Sequence, residues 1–295
     1  MGIGGGGDVA GALAAAETAR AFGSKAELGG ISWERRPIDP LPGPRSLDEV
    51  SGARRLHPAA ALAGPETSGP GGFRFAESAM ASVLGRPVTL IDPGGGPKAV
   101  AGGLLAAAEH LDCDLLVLLD VGGDVLAHGD EPGLASPLAD ALMLAAAPLV
   151  QRAGLRTVGA VFGAGCDGEL TPAQVRARFD ELAAAGASLG ETAPPAQALD
   201  ELERALAQVP TEARAMALRC ARGERGSARI RGGRRTVELT ELGGRLLWFE
   251  PEAAIDGPAR LAAMVLEAPS LLAAHETLTA AGVRTELAYE REAAS

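Results

Sequence analysis

Lysine is almost missing from this 295-residue chain: Lys25 and Lys98 are the only two, so arginine carries nearly all of the positive charge. Aromatic residues are scarce as well, at 3% with a single tyrosine. A core poor in rings must be filled by Ala, Leu and Val, which demands close packing of helices on the surfaces they cover. Cysteine is limited to Cys113, Cys166 and Cys220, far apart and without a CxxC pair. That spacing excludes a disulfide framework and a cysteine zinc site, and it fits a reducing compartment. No apolar stretch reaches membrane-span length without a charge or glycine break, and no signal-peptide pattern opens the chain. A cytoplasmic protein without a membrane partner is expected. The formal charge is 27 − 38 = −11, with no basic stripe interleaved with aromatics, so nucleic acid is not an expected partner. An HExxH metalloprotease motif is absent too.

What the chain has instead is glycine and alanine in informative places. Gly4-Gly5-Gly6-Gly7-Asp8 opens directly into a helical run from Val9 to Phe22. A helix start leaves N–H groups unpaired and carries partial positive charge, and glycines before it let a ligand approach the backbone. Gly5, Gly6 and Gly7 are therefore candidate substrate- or cofactor-binding residues. Asp8 changes the chemistry, since a carboxylate there repels phosphate and favours a hydroxyl, an amine or a metal ion. No Gly-Lys-Ser/Thr follows, so the loop is not a Walker A motif. Counted from Gly4 and Gly6, Val9 stands where a dinucleotide fingerprint needs its third glycine. A nucleotide ligand stays open.

To about residue 190 the pattern alternates strands and helices. Short strands are expected over Lys25–Ile31, Pro87–Ile91, Leu115–Leu119 and Thr157–Phe162, with "LLVLL" apolar on both faces as a central parallel strand requires. Helices are expected over Phe73–Leu84, Ala99–His110, a long run from the Ser136 cap to about Ala153, and from the Thr171 cap onward. Strand, glycine turn and helix in repetition predict a Rossmann-like, doubly wound, mostly parallel sheet with helices on both faces. Residues 1–190 would form this core, with 191–295 as a smaller C-terminal α+β portion packed on it. That portion reads as two helices, a hairpin around Gly232-Gly233, a strand over Leu246–Phe249 and helix over Pro258–Ala281.

Ligands of open α/β sheets bind beyond the carboxyl ends of the strands. Four loops there combine glycines with acids: Gly4–Asp8, Asp92–Lys98, Asp120–Glu131 and Gly163–Glu169. Their convergence would build one acid-lined pocket. In "DVGGDVLAHGDE", four acids in a short span repel one another unless a divalent cation, helix N-termini or substrate donors compensate. Asp120, Asp124 and His128 are the candidate catalytic groups. Asp120, Asp124 and Asp130 are the candidate ligands of a Mg²⁺ or Mn²⁺ ion. Gly122, Gly123, Asp167 and Glu169 are candidate binding residues, as is Lys98, placed to contact an anion. Cys166 reads as a small packing residue rather than a nucleophile. The segment "WERRPIDPLPGPRS" is an extended loop that Trp33 anchors, with Glu34, Arg35 and Arg45 placed to face a ligand.

The blocks "GGGGDVAGALAAA", "WERRPIDPLPGPRS", "CDLLVLLDVGGDVLAHGDEPGLASPLADA", "GAGCDGEL" and "GVRTELAYE" together resemble domain-of-unknown-function family 1152 over nearly the whole chain. The resemblance implies a single Rossmann-like α/β unit and supplies no reaction. It also implies a full apolar strand before the glycines, where this chain has only Met1 to Ile3. The residues favour a small-molecule enzyme of hydrolase, transferase or lyase type acting on a polar, nucleotide- or amino-acid-like substrate. The alternative is a non-catalytic nucleotide- or metabolite-binding module; a redox enzyme is the third reading. Homo-oligomerisation stays open.

Overall fold

The computed structural model describes residues 1–209 and 211–294. In chain order the elements are α1 (Asp8–Ala21), β1 (Gly29–Ile31), β2 (Arg54–His57), β3 (Ala60–Ala63), α2 (Ala76–Leu84), β4 (Val88–Ile91), α3 (Gly96–His110) and β5 (Leu115–Val121). They continue with α4 (Pro137–Ala145), α5 (Ala147–Arg152), β6 (Arg156–Phe162), α6 (Pro172–Ala184), β7 (Ser188–Thr192), α7 (Ala196–Leu206) and α8 (Glu212–Ala221). The last elements are β8 (Gly226–Ile230), β9 (Arg235–Leu239), β10 (Leu246–Phe249), α9 (Pro251–Ile255), α10 (Arg260–Val265), α11 (Leu271–Ala280) and α12 (Glu286–Ala294).

The fold is mixed α/β. One set of strands runs β1-β4-β3-β2, another β5-β6-β10-β7, and β8-β9 form a separate hairpin. Residues 1–3 bridge the first two sets. Gly2 N donates to Gly29 O at 2.8 Å on one side, while Leu119 N donates to Met1 O and Ile3 N to Leu119 O on the other. The short segment before the glycines is therefore paired on both edges. β1 lies parallel to β4, Gly2 parallel to Leu119, and β5 parallel to β6. β3 and β10 run antiparallel to their neighbours. β10, from the C-terminal third, sits between β6 and β7, so that third is woven into the sheet.

Alternation along the strands feeds two apolar layers. Leu118, Val161, Leu247 and Phe249 join the cluster covered by α3, α4, α5 and α10, whereas Leu119, Ala160, Phe162 and Leu246 join the cluster covered by α1, α2, α7 and α8. Alanine makes this close stacking feasible: α1 buries Ala10, Ala12, Ala14, Ala15 and Ala16. Among the described residues, no helix is long and apolar enough to cross a membrane.

Three local expectations are corrected. The helix expected from Ser136 to Ala153 breaks into α4 and α5 at Ala146. Pro148 explains the break, because it has no N–H to donate and its ring crowds the carbonyl four residues earlier. The helix expected over Pro258–Ala281 likewise divides into α10 and α11, with Pro269 between them. Ser136 does not cap α4. Glu286 does so from α12, its carboxylate accepting Leu138 N at 3.0 Å and Ala139 N at 2.9 Å. A charged acceptor binds a helix start more strongly than a hydroxyl. Thr171 caps α6 as expected, in a capping box with Gln174. The β2–β3 hairpin has no counterpart in the sequence reading, because its strands carry the chain's usual alanines and arginines rather than β-branched residues.

Candidate active site

Three of the four glycine–acid loops meet with five acids, and α4 adds a sixth. Asp8 is the first residue of α1, Asp120 lies near the end of β5, and Asp124 follows it in a short 3₁₀ turn. Asp167 and Glu169 follow β6, and Asp140 lies in the first turn of α4. All six are buried. They fall into two trios, Asp8–Asp120–Asp140 and Asp124–Asp167–Glu169, with one carboxylate oxygen of each member within 4.8 Å of the others in its trio.

The first trio gathers over the glycine loop. Asp8 accepts Gly4 N on Oδ2 at 2.9 Å and pairs through Oδ1 with the Arg214 guanidinium. Asp120 Oδ2 accepts Gly123 N at 2.7 Å and Val125 N at 3.3 Å. Asp140 Oδ1 is buried and has no hydrogen-bond partner among the described residues. A Cβ on Gly4 would stand 2.7 Å from Asp8 Oδ2 and 2.9 Å from Asp140 Oδ2, so only glycine lets both carboxylates close in. Gly5, Gly6 and Gly7 have φ of 73°, 54° and 101°, which turns the loop sharply into α1. The amides of Gly4, Gly6 and Asp8 go to Asp8 Oδ2, Trp33 O and Gly5 O. The carbonyls of Gly4, Gly5 and Gly6 accept from Arg35 and Arg214. Arg214 is buried, and desolvation draws its pKa down to about 9.

The second trio is held by the protein itself. Glu169 Oε2 accepts Ala135 N at 2.7 Å and Ser136 N at 2.8 Å, while Oε1 accepts the Ser136 hydroxyl and Arg231 Nη2. Asp167 Oδ1 accepts Glu169 N at 3.1 Å. Arg235 donates beside them, to Gly168 O and Gly133 O. Gly122 sits against this trio, where a Cβ would lie 2.8 Å from both Asp167 oxygens. Gly123 precedes the Asp124 turn with φ 113°. The β8–β9 hairpin thus sends Arg231 to Glu169 and holds Arg235 on the backbone beside the trio.

Burial dominates the electrostatics. It pushes the Asp120 carboxyl up to about 7, with the Asp167 charge adding to the shift. Asp167 also rises to about 7, through burial and then Glu169. Asp124 and Asp140 are held well above the usual carboxylate range by burial and then by Asp120. At about 7, the Asp120 and Asp167 carboxyls exchange protons near neutrality and can act as acid or base.

The remaining sequence candidates fall elsewhere. His128 stands outside both trios, its Nε2 3.2 Å from Glu181 Oε2. The expected metal ligand Asp130 is exposed and belongs to neither trio. Lys98 is exposed in the first turn of α3, and Asp92 spends its oxygens on Leu47 N and Gly94 N. Cys166 is buried with its sulfur 3.8 Å from that of Cys220, which agrees with a packing role. In the 33–46 segment Trp33 is fully buried, its Nε1 donating to Glu290 of α12 at 3.1 Å. Glu34 turns away from the trios to accept Ala76 N at 2.5 Å, beside buried Glu77.

Sequence reasoning missed Asp140, Arg214 and Glu286. Asp140 left a signal, as the one charged residue in the otherwise apolar α4. Arg214 and Glu286 left none. The glycine register that matters starts at Gly2 rather than Gly4. Gly2 lies in the bridging strand segment, and Gly2-Gly4-Gly7 does match G-x-G-x-x-G.

A family model described as "Protein of unknown function (DUF1152)" matches residues 1–294. The chain belongs to the DUF1152 family. No curated protein and no solved structure matches it. Within this DUF1152 chain, the blocks that carry the acids are among those on which the resemblance rested.

Proposed function

We propose that the protein is an enzyme acting on a small, polar substrate with hydroxyl or amine groups, of nucleotide- or amino-acid-like type. Binding takes place at the acid-lined ends of the central strands with the help of a divalent cation. Asp124 moves the proton in a hydrolase, transferase or lyase reaction, with Asp120 beside the cation. The observation that carries this reading is the burial of six carboxyls in two adjacent trios. Packing like charges away from water costs stability, and clusters of this kind mark working sites more often than structural ones.

The strand order supports the location. We read the order β4, β1, residues 1–3, β5 and β6 as the 3-2-1-4-5 winding of a Rossmann-like, doubly wound sheet. In that winding the order reverses between residues 1–3 and β5, where the rule places the ligand crevice. Asp8 follows the first of these segments and Asp120 ends the second. Phosphate at the glycine loop is disfavoured, because the amides of Gly4, Gly6 and Asp8 are bonded internally and Asp8 presents a negative charge. A redox dinucleotide is disfavoured for the same reason, despite the glycine spacing.

The test is thermal stabilisation by a panel of nucleosides, nucleotides and amino-acid derivatives, with and without Mg²⁺, followed by mass spectrometry of each mixture. The expected result is stabilisation by a polar ligand that is then converted, with conversion lost in Asp120→Asn and Asp124→Asn. A ligand recovered unchanged would point to the binding module instead. Full conversion by both variants would overturn the assignment.

A further inference from the structure

The structure distinguishes the two trios, and from that difference we infer that Asp8, Asp120 and Asp140 hold one hard divalent cation, Mg²⁺ or Mn²⁺, whereas Asp124, Asp167 and Glu169 hold none. This inference rests on the reading of the acidic cluster as the working site and assigns the ion within it.

Three observations separate the trios. The first is the buried Asp140 Oδ1, an acceptor on a side chain only 2% exposed and without a hydrogen bond among the described residues. An unpaired buried carboxylate oxygen is costly, and a cation beside Asp8 and Asp120 removes that cost. The second is convergence: the carboxylates of Asp8 and Asp140 close on Gly4 from two helices, and one oxygen of each lies within 4.8 Å of one from Asp120. Oxygens that near one another fit around an ion whose ligands stand at about 2.0–2.6 Å.

The third is charge. With its three carboxyls ionised, as they must be to ligate an ion, the first trio and the paired Arg214 carry −3 + 1 = −2, the charge that one divalent ion cancels. Arg35, whose charge also acts on Asp140, is itself paired with Glu286 and Glu290. Two of the three acids in the second trio, Glu169 and Asp167, are compensated from within the chain. Glu169 accepts four hydrogen bonds, one of them from Arg231, and Arg235 stands beside Asp167. An ion there would have to displace bonds already made. The donors of the first trio are carboxylate oxygens with no sulfur or imidazole, which selects hard ions over Zn²⁺ or Cu²⁺. Arg214 is a positioning residue: it fixes Asp8 and caps the loop carbonyls, so that the carboxylate faces Gly4.

The test is calorimetric titration of the full chain with MnCl2 alone, read alongside the electron paramagnetic resonance signal of free Mn²⁺. One Mn²⁺ per chain is expected, displaced by excess Mg²⁺. Asp140→Asn and Asp8→Asn should each weaken binding tenfold or more, and Asp167→Asn should leave it within threefold. Absence of Mn²⁺ binding to the wild type would overturn the inference, as would Asp167→Asn weakening binding as much as Asp140→Asn does. If Asp140→Asn does not fold, Asp8→Asn carries the same readout. Wild-type protein that fails to bind Mn²⁺ yet is stabilised by a polar ligand would sink the ion and leave the proposed function standing. Mn²⁺ binding that depends on Asp140, in a protein that converts nothing, would support the ion while the enzyme reading fails.

Discussion

The two trios stand at the ends of the same strands and handle the same problem in opposite ways. In the second, backbone amides, a serine hydroxyl and two arginines meet the charge, and Glu169 is bonded as fully as a carboxylate can be. In the first, Arg214 pairs with Asp8, Arg35 acts on Asp140 only through its charge, and Asp140 keeps an oxygen without a partner among the described residues. Burial is equal in both, so burial alone does not mark the reactive part of the cluster. What differs is how much of the compensation the chain supplies itself.

Removing a compensated acid should do the most damage. Glu169→Ala removes the acceptor of Ala135 N, Ser136 N and the Ser136 hydroxyl at once, and we expect a loss of about 4 kcal/mol in urea unfolding, at about 1.5 kcal/mol for each hydrogen bond to a charged group. If the loss is under about 1 kcal/mol, the second trio is not the self-sufficient one.

A separate buried acid pair tests what uncompensated burial does. Burial holds the Glu34 carboxyl at about 7, against an ordinary value of 4.5, and Glu77 higher still with Glu34 contributing. With a raised native pKa the folded state binds more protons than the unfolded one between these values. Stability is therefore full below pH 4.5 and declines as pH rises through 7, by about 3 kcal/mol from Glu34. Denaturation at pH 4.5 and 8 should show the decline, and Glu34→Gln with Glu77→Gln should flatten it. An equal decline in that double variant would assign the effect to the trios instead.

Glu286→Gln tests the frame that carries Asp140. Weakening the cap on α4 should cost about 1 kcal/mol and lower the melting temperature by a few degrees. The smallest expected effect has the opposite sign. In metal-free protein at pH 8, Asp140→Asn should raise stability by about 1 kcal/mol, since it removes a buried like charge. A large destabilisation would show Asp140 to be as well compensated as Glu169.

The strands were the readable part of this molecule. "LLVLL" and "TVGAVF" are continuous apolar runs, and each became a strand whose C-terminal half is buried on both faces, because the adjoining layers are built from small side chains. Breaks at Pro148 and Pro269 were missed because apolar periodicity continues through them. The site was half readable. Asp8, Asp120, Asp124, Asp167 and Glu169 announced themselves beside glycines after strands, the local grammar of a ligand loop. Asp140 sits in an apolar helix, while Arg214, Arg231 and Glu286 arrive from segments distant in the chain. No local pattern records such partners.

By itself, then, the sequence determined the central strands, most of the helices, the family and the loops that carry acid, since these depend on neighbours within a few residues. Tertiary structure decided that β10 lies between β6 and β7, that residues 1–3 join the two sets of strands, and which acids share an arginine. Those outcomes depend on long-range pairing and on how much water each group loses. The balance of charge around a buried carboxyl follows from what packs against it.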